Sequence, residues 1–282
     1  MYLYQLPGVA LESPILLPSF AEFAAWETGR TPTVTLTEAE TPLVEGKALF
    51  QVCHKEINIT TLEGGWLFSR PQIPEAALLL SRDRCQIIST RWDAPWKFST
   101  MLPLLRTALE CASAQSSVIS LHAACVEKDG EAICFCAPSG VGKSIRAAQW
   151  EEALGAQIIS GDRPSLRLEG EKVLACGVPW DGKEGIYRNM RRPLKMICAI
   201  VRDDVVSARR FSKTQARQFL MQQVFVPMWD TDAAVEVMAT VHSLCACVPV
   251  VELRCGPDKV SARAAYELLY HHPEWILEEA DR

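Results

Sequence analysis

Over residues 1–97, apolar side chains come in short runs with a period of two, broken by turn residues. Such runs predict strands at Thr33–Leu36, Ala48–Val52, Ile57–Thr60, Trp66–Phe68 and Gln86–Thr90. Gly46, Gly64-Gly65, Pro71 and the charged turn Arg82-Asp83-Arg84 separate them. Phe20–Trp26 has helical spacing and is expected to stop at Gly29. The expectation for 1–97 is a smaller, mostly antiparallel β unit, and no residue in it carries recognisable chemistry.

From residue 98 the period changes. Leu102, Leu105, Ala108 and Leu109 recur at helical spacing and predict a helix over Ser99–Ala114. A strand over Val118–Val126, a turn at Glu127–Gly130 and a strand over Ala132–Cys136 follow as a hairpin. A helix over Lys143–Leu154, stopped by Gly155, leads to a strand over Gln157–Ser160. A second hairpin pairs Ser165–Leu168 with Lys172–Ala175. After a polar loop, Pro179–Pro193, come a strand at Lys195–Val201 and helices at Lys213–Gln223, Ala233–Cys245 and Asp258–His271, with a last strand at Pro249–Leu253. Strands interleaved with helices define an α/β domain over 98–282.

Between the strand Ala132–Cys136 and the helix at Lys143 lies Ala137-Pro138-Ser139-Gly140-Val141-Gly142-Lys143-Ser144. A glycine-containing loop joining a strand to a helix start is the setting of a phosphate-binding loop. Its backbone N–H groups converge on phosphate oxygens, and the helix adds unpaired amides and the positive end of its dipole. Ser139, Gly140, Val141, Gly142, Lys143 and Ser144 are therefore the expected nucleotide-binding residues. Lys143 supplies charge to the outer phosphates and Ser144 a hydroxyl ligand for Mg²⁺. Ala137 stands where the usual pattern has its first glycine. A plain Ser-Gly turn would leave the Gly-Val-Gly-Lys-Ser run unexplained.

Composition narrows the partners. The chain has 282 residues and a net charge of -5, which argues against a nucleic-acid surface. No apolar stretch is long enough to span a bilayer, and the first residues lack the features of a secretion signal. The 11 cysteines sit mostly in apolar runs, and the pairs Cys134/Cys136 and Cys245/Cys247 lack the spacing of a zinc site. They are read as reduced structural thiols, two to a strand face, in a cytoplasmic protein.

Phosphoryl transfer needs a carboxylate near the loop to hold or orient the metal. Asp162, after the strand Gln157–Ser160, is favoured over Asp203, after Lys195–Val201, because chain order brings it close to Ser144. His122 falls in a strand expected beside the loop's strand; on position alone such a histidine is more often a satisfied core residue. Arg146, Arg163, Arg188, Arg191 and Arg192 are candidates to reach a phosphate, and Gly177–Lys183 is a candidate closing loop.

Over roughly residues 98–270 the chain resembles the HPr kinase/phosphorylase catalytic domain, and more closely the HPr-kinase-like proteins associated with modification of ribosomally made peptides. The resemblance rests on Leu121-His122-Ala123-Ala124, the hairpin, the loop itself, Ile159-Ser160-Gly161-Asp162-Arg163-Pro164, and Gly177-Val178-Pro179-Trp180-Asp181-Gly182. Arg192–Lys195 and Val248–Cys255 continue it. It implies the phosphoenolpyruvate-carboxykinase-like variety of phosphate-loop fold, which accounts for a hairpin entering the loop. It also implies ATP and Mg²⁺ as cofactors, a catalytic role for Asp162 and His122, Ser144 and Asp162 as metal ligands, and a homo-oligomer. Two departures stand out. Gly161 precedes Asp162 where the HPr kinases have two aspartates side by side, and the glycine-rich signature of phosphorylase activity is not apparent after Cys176.

The leading expectation is an ATP-dependent, Mg-requiring kinase acting on a Ser/Thr hydroxyl of a peptide or small protein. A nucleotide-binding regulatory or recruitment module without transfer, and a kinase for a small metabolite, are the alternatives.

Overall fold

The computed structural model describes residues 1–25, 33–39, 50–52, 56–93, 95–138, 140–180, 185–186 and 188–272. These divide into two compact units, one of residues 1–117 with 226–237 and the other of 118–225 with 238–282. The boundary thus falls after the first long helix, not at residue 97, and a later segment returns to the first unit. Helix packing accounts for the shift: the apolar stripe of that helix lies on strands of the first unit.

The first unit is built on an eight-stranded sheet. Its strands are β1 (Tyr2–Gln5), β2 (Ala10–Ser13), β3 (Thr33–Glu38), β4 (Phe50–Val52), β5 (Ile57–Leu62), β6 (Gly65–Arg70), β7 (Ile73–Ser81) and β8 (Gln86–Ser89). They lie in the order β1-β2-β3-β8-β7-β6-β5-β4. The β2–β3 and β3–β8 pairs are parallel and the rest antiparallel. Helix α1 (Pro95–Ser113) packs on β6 and β7. The Phe20 region forms a short 3-10 turn, Pro18–Phe23, in place of the expected helix. Phe20 and Phe23 are buried from it. Trp26, Gly29, Gly46, Ala48 and Leu49 lie outside the described residues.

The second unit is mixed α/β around a nine-stranded sheet. In chain order it contains β9 (Val118–Ser120), β10 (Ala123–Lys128), β11 (Glu131–Cys136), α2 (Lys143–Leu154), β12 (Gln157–Ser160), β13 (Ser165–Glu169), β14 (Lys172–Cys176) and β15 (Arg191–Arg202). β16 (Ser207–Arg210) and α3 (Lys213–Gln223) come next, then α4 (Thr231–Cys247), β17 (Val250–Cys255) and α5 (Lys259–His271). Of α4, residues from 238 onward belong to this unit.

β11 is flanked by β10, antiparallel, and β15, parallel; β17 adds a further parallel strand beside β15. The carboxyl ends of β11, β15 and β17 thus lie at one edge, where open α/β sheets bind ligands. The amino end of β10 and the carboxyl end of β12 reach the same edge, because Ala123 is registered with Cys136, and Cys125 with Ser160.

Packing holds α2 on this sheet. Trp150 is fully buried, meets Phe135 edge-on at 5.3 Å and contacts Tyr266 of α5 at 6.1 Å. Ala124, Val126, Ile133, Met196, Cys198 and Ile200 complete that core face. The helix ends at Gly155, whose N–H returns to the Glu151 carbonyl at 3.0 Å.

The described cysteines carry free thiols. Cys134 and Cys136 share a buried strand face, but Cys245 and Cys247 lie in α4. Residues two apart point apart on a helix, so Cys245 is buried and Cys247 exposed. Among the described residues no helix is long and apolar enough to cross a membrane.

Candidate functional site

The loop at 137–144 leaves β11 and enters α2, as its sequence requires. Gly140 (φ 83°) and Gly142 (φ 116°) both adopt left-handed backbone conformations. A Cβ at Gly140 would meet nothing within 4 Å, so backbone conformation and not space calls for glycine there. The first α2 bond runs from the Arg146 N–H to the Gly142 carbonyl (2.9 Å). The N–H groups of Gly142, Lys143 and Ser144 precede it, as the opening amides of a helix do. Ser139 lies outside the described residues.

Lys143 is only 8% exposed, and its Nζ donates to the Ala137 carbonyl at 3.0 Å. Burial pulls its pKa down, while the negative charge of Asp162 acts in the opposite direction. Strand register brings Asp162 to the edge where β11 gives way to the loop, although its own strand is not adjacent to β11. β12 pairs with β10, one strand further out.

His122 does not continue a strand as expected. The predicted strand Val118–Val126 breaks into β9 and β10, and His122 stands in the break. Its N–H donates to the Gln223 carbonyl at the end of α3 (2.8 Å), and Leu121 bridges Val224. The Ala123 N–H then turns to the Asp162 carbonyl (2.8 Å). Competition from the α3 terminus for the backbone of 121–122 causes the break. Its consequence is that His122 Nε2 lies 3.6 Å from Asp162 Oδ1. Arg163 Nε is 4.0 Å from Asp162 Oδ2.

Asp203, the rival carboxylate, is engaged elsewhere. It accepts from the Val205 N–H (3.1 Å) and from Arg254 (3.3 Å), and these bonds hold its carboxyl below the ordinary range. Of the arginines expected near phosphate, Arg146 is buried and donates to Gln149 (3.0 Å) and the Cys255 carbonyl (3.3 Å). Arg192 donates to the Arg191 carbonyl (2.9 Å). The loop after Val178 is pinched at its base by the Gly177 N–H on the Met190 carbonyl (2.8 Å). Asp181, Gly182 and Lys183 lie outside the described residues.

One loop partner escaped the expected set. Arg202 of β15 donates from Nε to the Val141 carbonyl (3.1 Å) and from Nη2 to the Gly140 carbonyl (3.4 Å). The signal was present in the period of β15: Met196, Cys198 and Ile200 pack into the core face that α2 covers, and Arg202 is the next residue of that face.

Ser144 lies in the first turn of α2, and Asp162 follows β12, whose carboxyl end reaches the same sheet edge as that of β11. Ser144 and Asp162 are oxygen ligands of the kind Mg²⁺ takes, usually with several waters and substrate phosphates completing its shell. Among the described residues no group of three His, Cys, Asp or Glu side chains forms a metal cluster by itself.

The fold and site together are those of a mixed α/β protein in which a glycine-containing loop joins β11 to α2 and a carboxylate–histidine pair stands at the same sheet edge. No family model matches the chain, and no curated protein does. Among solved structures it is similar to the Hpr(Ser) kinase/phosphatase from Coxiella burnetii, at 10% identity over 55% of this chain and 97% of that one, with a TM-score of 0.32. At that score the likeness assigns neither a residue role nor an activity to this chain.

Proposed function

We propose that the chain is an ATP-dependent, magnesium-requiring kinase that phosphorylates a serine or threonine hydroxyl of a peptide or small protein, on a phosphoenolpyruvate-carboxykinase-like core. The observation that carries this reading is the His122–Asp162 pair at 3.6 Å, at the sheet edge from which the loop leaves β11. A phosphate loop alone argues for binding; a carboxylate–histidine pair at that edge adds a group able to steer an acceptor.

In this reading Gly140–Ser144 cradle the phosphates, with Lys143 on the outer ones. Ser144 and Asp162 would hold Mg²⁺, which when bound would neutralise charge on the phosphate oxygens. Asp162, oriented by His122, aligns the acceptor hydroxyl and takes its proton as the oxygen bonds to the terminal phosphorus and the bond to the leaving ADP oxygen breaks. In a loose transition state such alignment matters more than strong base catalysis.

The test is label transfer from γ-labelled ATP to serine- and threonine-containing peptides, alongside calorimetry with MgADP. Asp162→Asn is expected to lower transfer by at least ~100-fold while binding of metal-free ADP persists. Gly161 supports a second reading, a nucleotide-binding module without transfer, because glycine and not a second aspartate precedes Asp162. Intact MgADP binding with no transfer to any acceptor would decide for that module.

A further inference from the structure

Three successive carbonyls of the loop each have a donor. The Gly140 and Val141 carbonyls accept from Nη2 and Nε of Arg202, and the Gly142 carbonyl accepts from the Arg146 N–H. A peptide unit is planar and trans, so its C=O and the following N–H point in opposite directions. Fixing a carbonyl on one side of the loop therefore fixes the next N–H on the other. The Val141 N–H is held on the Pro138 carbonyl (3.3 Å). The Gly142 N–H, paired through its peptide plane with the Val141 carbonyl, faces away from Arg202.

We propose that Arg202 is a positioning residue for nucleotide binding: its guanidinium clamps two adjacent carbonyls on the outside of the loop and so presents the Gly142 amide to a diphosphate. The proposal rests on the nucleotide reading above and adds a residue to it. The clamp depends on the shape of arginine. Its Nε–H and Nη–H donors form a rigid fork that serves two acceptors at once, whereas a lysine ammonium donates from a single point on a flexible stem. It also depends on the fold, because β15 is the parallel neighbour of β11 and ends where the loop begins. Left-handed Gly140 and Gly142 make the loop backbone permissive, and a permissive backbone needs an external restraint to hold one orientation of its amides.

A direct contact of Arg202 with phosphate would predict different behaviour. A charge acting on phosphate is largely replaceable by lysine and weakens with salt. A clamp on neutral carbonyls is neither.

The experiment is calorimetric titration of the full chain with MgADP and with inorganic pyrophosphate, at low and at high salt. The chains compared are the unaltered protein, Arg202→Ala, Arg202→Lys and Lys143→Met. Arg202 is solvent-exposed, so thermal unfolding of the two Arg202 variants is expected to match that of the unaltered chain. Both variants are expected to bind each probe about tenfold more weakly, the loss being alike at the two salt concentrations. Affinity restored by lysine, or a loss that vanishes at high salt, would overturn the clamp in favour of direct charge on phosphate. Unchanged affinity in Arg202→Ala would overturn any role in binding. If the unaltered chain binds neither probe, the nucleotide reading fails and the clamp with it. Binding that Lys143→Met abolishes but Arg202→Ala leaves intact would sink the clamp alone.

Discussion

Two buried cations, one in each unit, show how differently a fold can treat a positive charge. Arg84, at the β7–β8 turn of the first unit, lies 2.5 Å from Glu236 Oε2 and 3.4 Å from Asp230 Oδ2. Burial alone lowers its pKa, but the Glu236 hydrogen bond and the Asp230 charge outweigh that, and the net shift is upward. Asp230 is also occupied, accepting the Ala233 N–H at the start of α4 (3.1 Å). Lys143 is as buried as Arg84, yet among the described residues its hydrogen bond is to one neutral carbonyl, and burial wins over Asp162 so that its pKa falls. A desolvated charge that its own fold satisfies is a structural tie. One that the fold leaves under-compensated is poised to gain from an anion.

Replacing the two cations tests that contrast most strongly. Arg84→Met strands two carboxylates and is expected to cost about 3 kcal/mol of stability in denaturant unfolding. It should leave MgADP affinity untouched; a matching loss of affinity would erase the distinction between the two sites.

Lys143→Met is expected to do the reverse. Calorimetry should show a loss of roughly 30-fold in MgADP affinity. The unfolding midpoint should not fall, because the substitution removes a poorly compensated buried charge. Destabilisation comparable with that of Arg84→Met would make Lys143 another structural tie.

The smallest expected effect is in pH. With its folded-state pKa lowered, Lys143 sheds its proton before an unfolded-chain lysine does, near pH ~10.4. Between those two values the unfolded state binds more protons, so this residue's contribution to stability rises with pH. Nucleotide affinity at the proposed site is expected to fall through the same window, because that site would use the charge. Titrations of the unaltered chain and Lys143→Met should therefore converge in affinity at alkaline pH, at a lower pH than an ordinary lysine would give. Arg84, whose pKa is raised, should show no such drift.

Local pattern made most second-unit elements legible. The α2 helix, the hairpins and the helices from α3 to α5 follow from hydrophobic period and stop residues within a few positions. In the first unit, β1, β2 and β7 were not expected. Their runs are short or interrupted by Gln, Pro or Glu, and burial in an eight-stranded sheet overrides weak local preference. Cys245 and Cys247 show the converse error, since alternating residues read as one strand face when the local conformation is unknown.

The chain's own sequence determined the loop, because left-handed glycines, a lysine and a helix start act over a few residues and need no distant partner. It also marked His122 and Asp162 as residues of interest. Only the tertiary structure decided that they lie 3.6 Å apart, and it did so through the α3 terminus taking the His122 backbone. It likewise placed Arg202, far along the chain, against the loop carbonyls. Strand order and the competition for backbone hydrogen bonds are settled by which segments meet in space, and no local period encodes that.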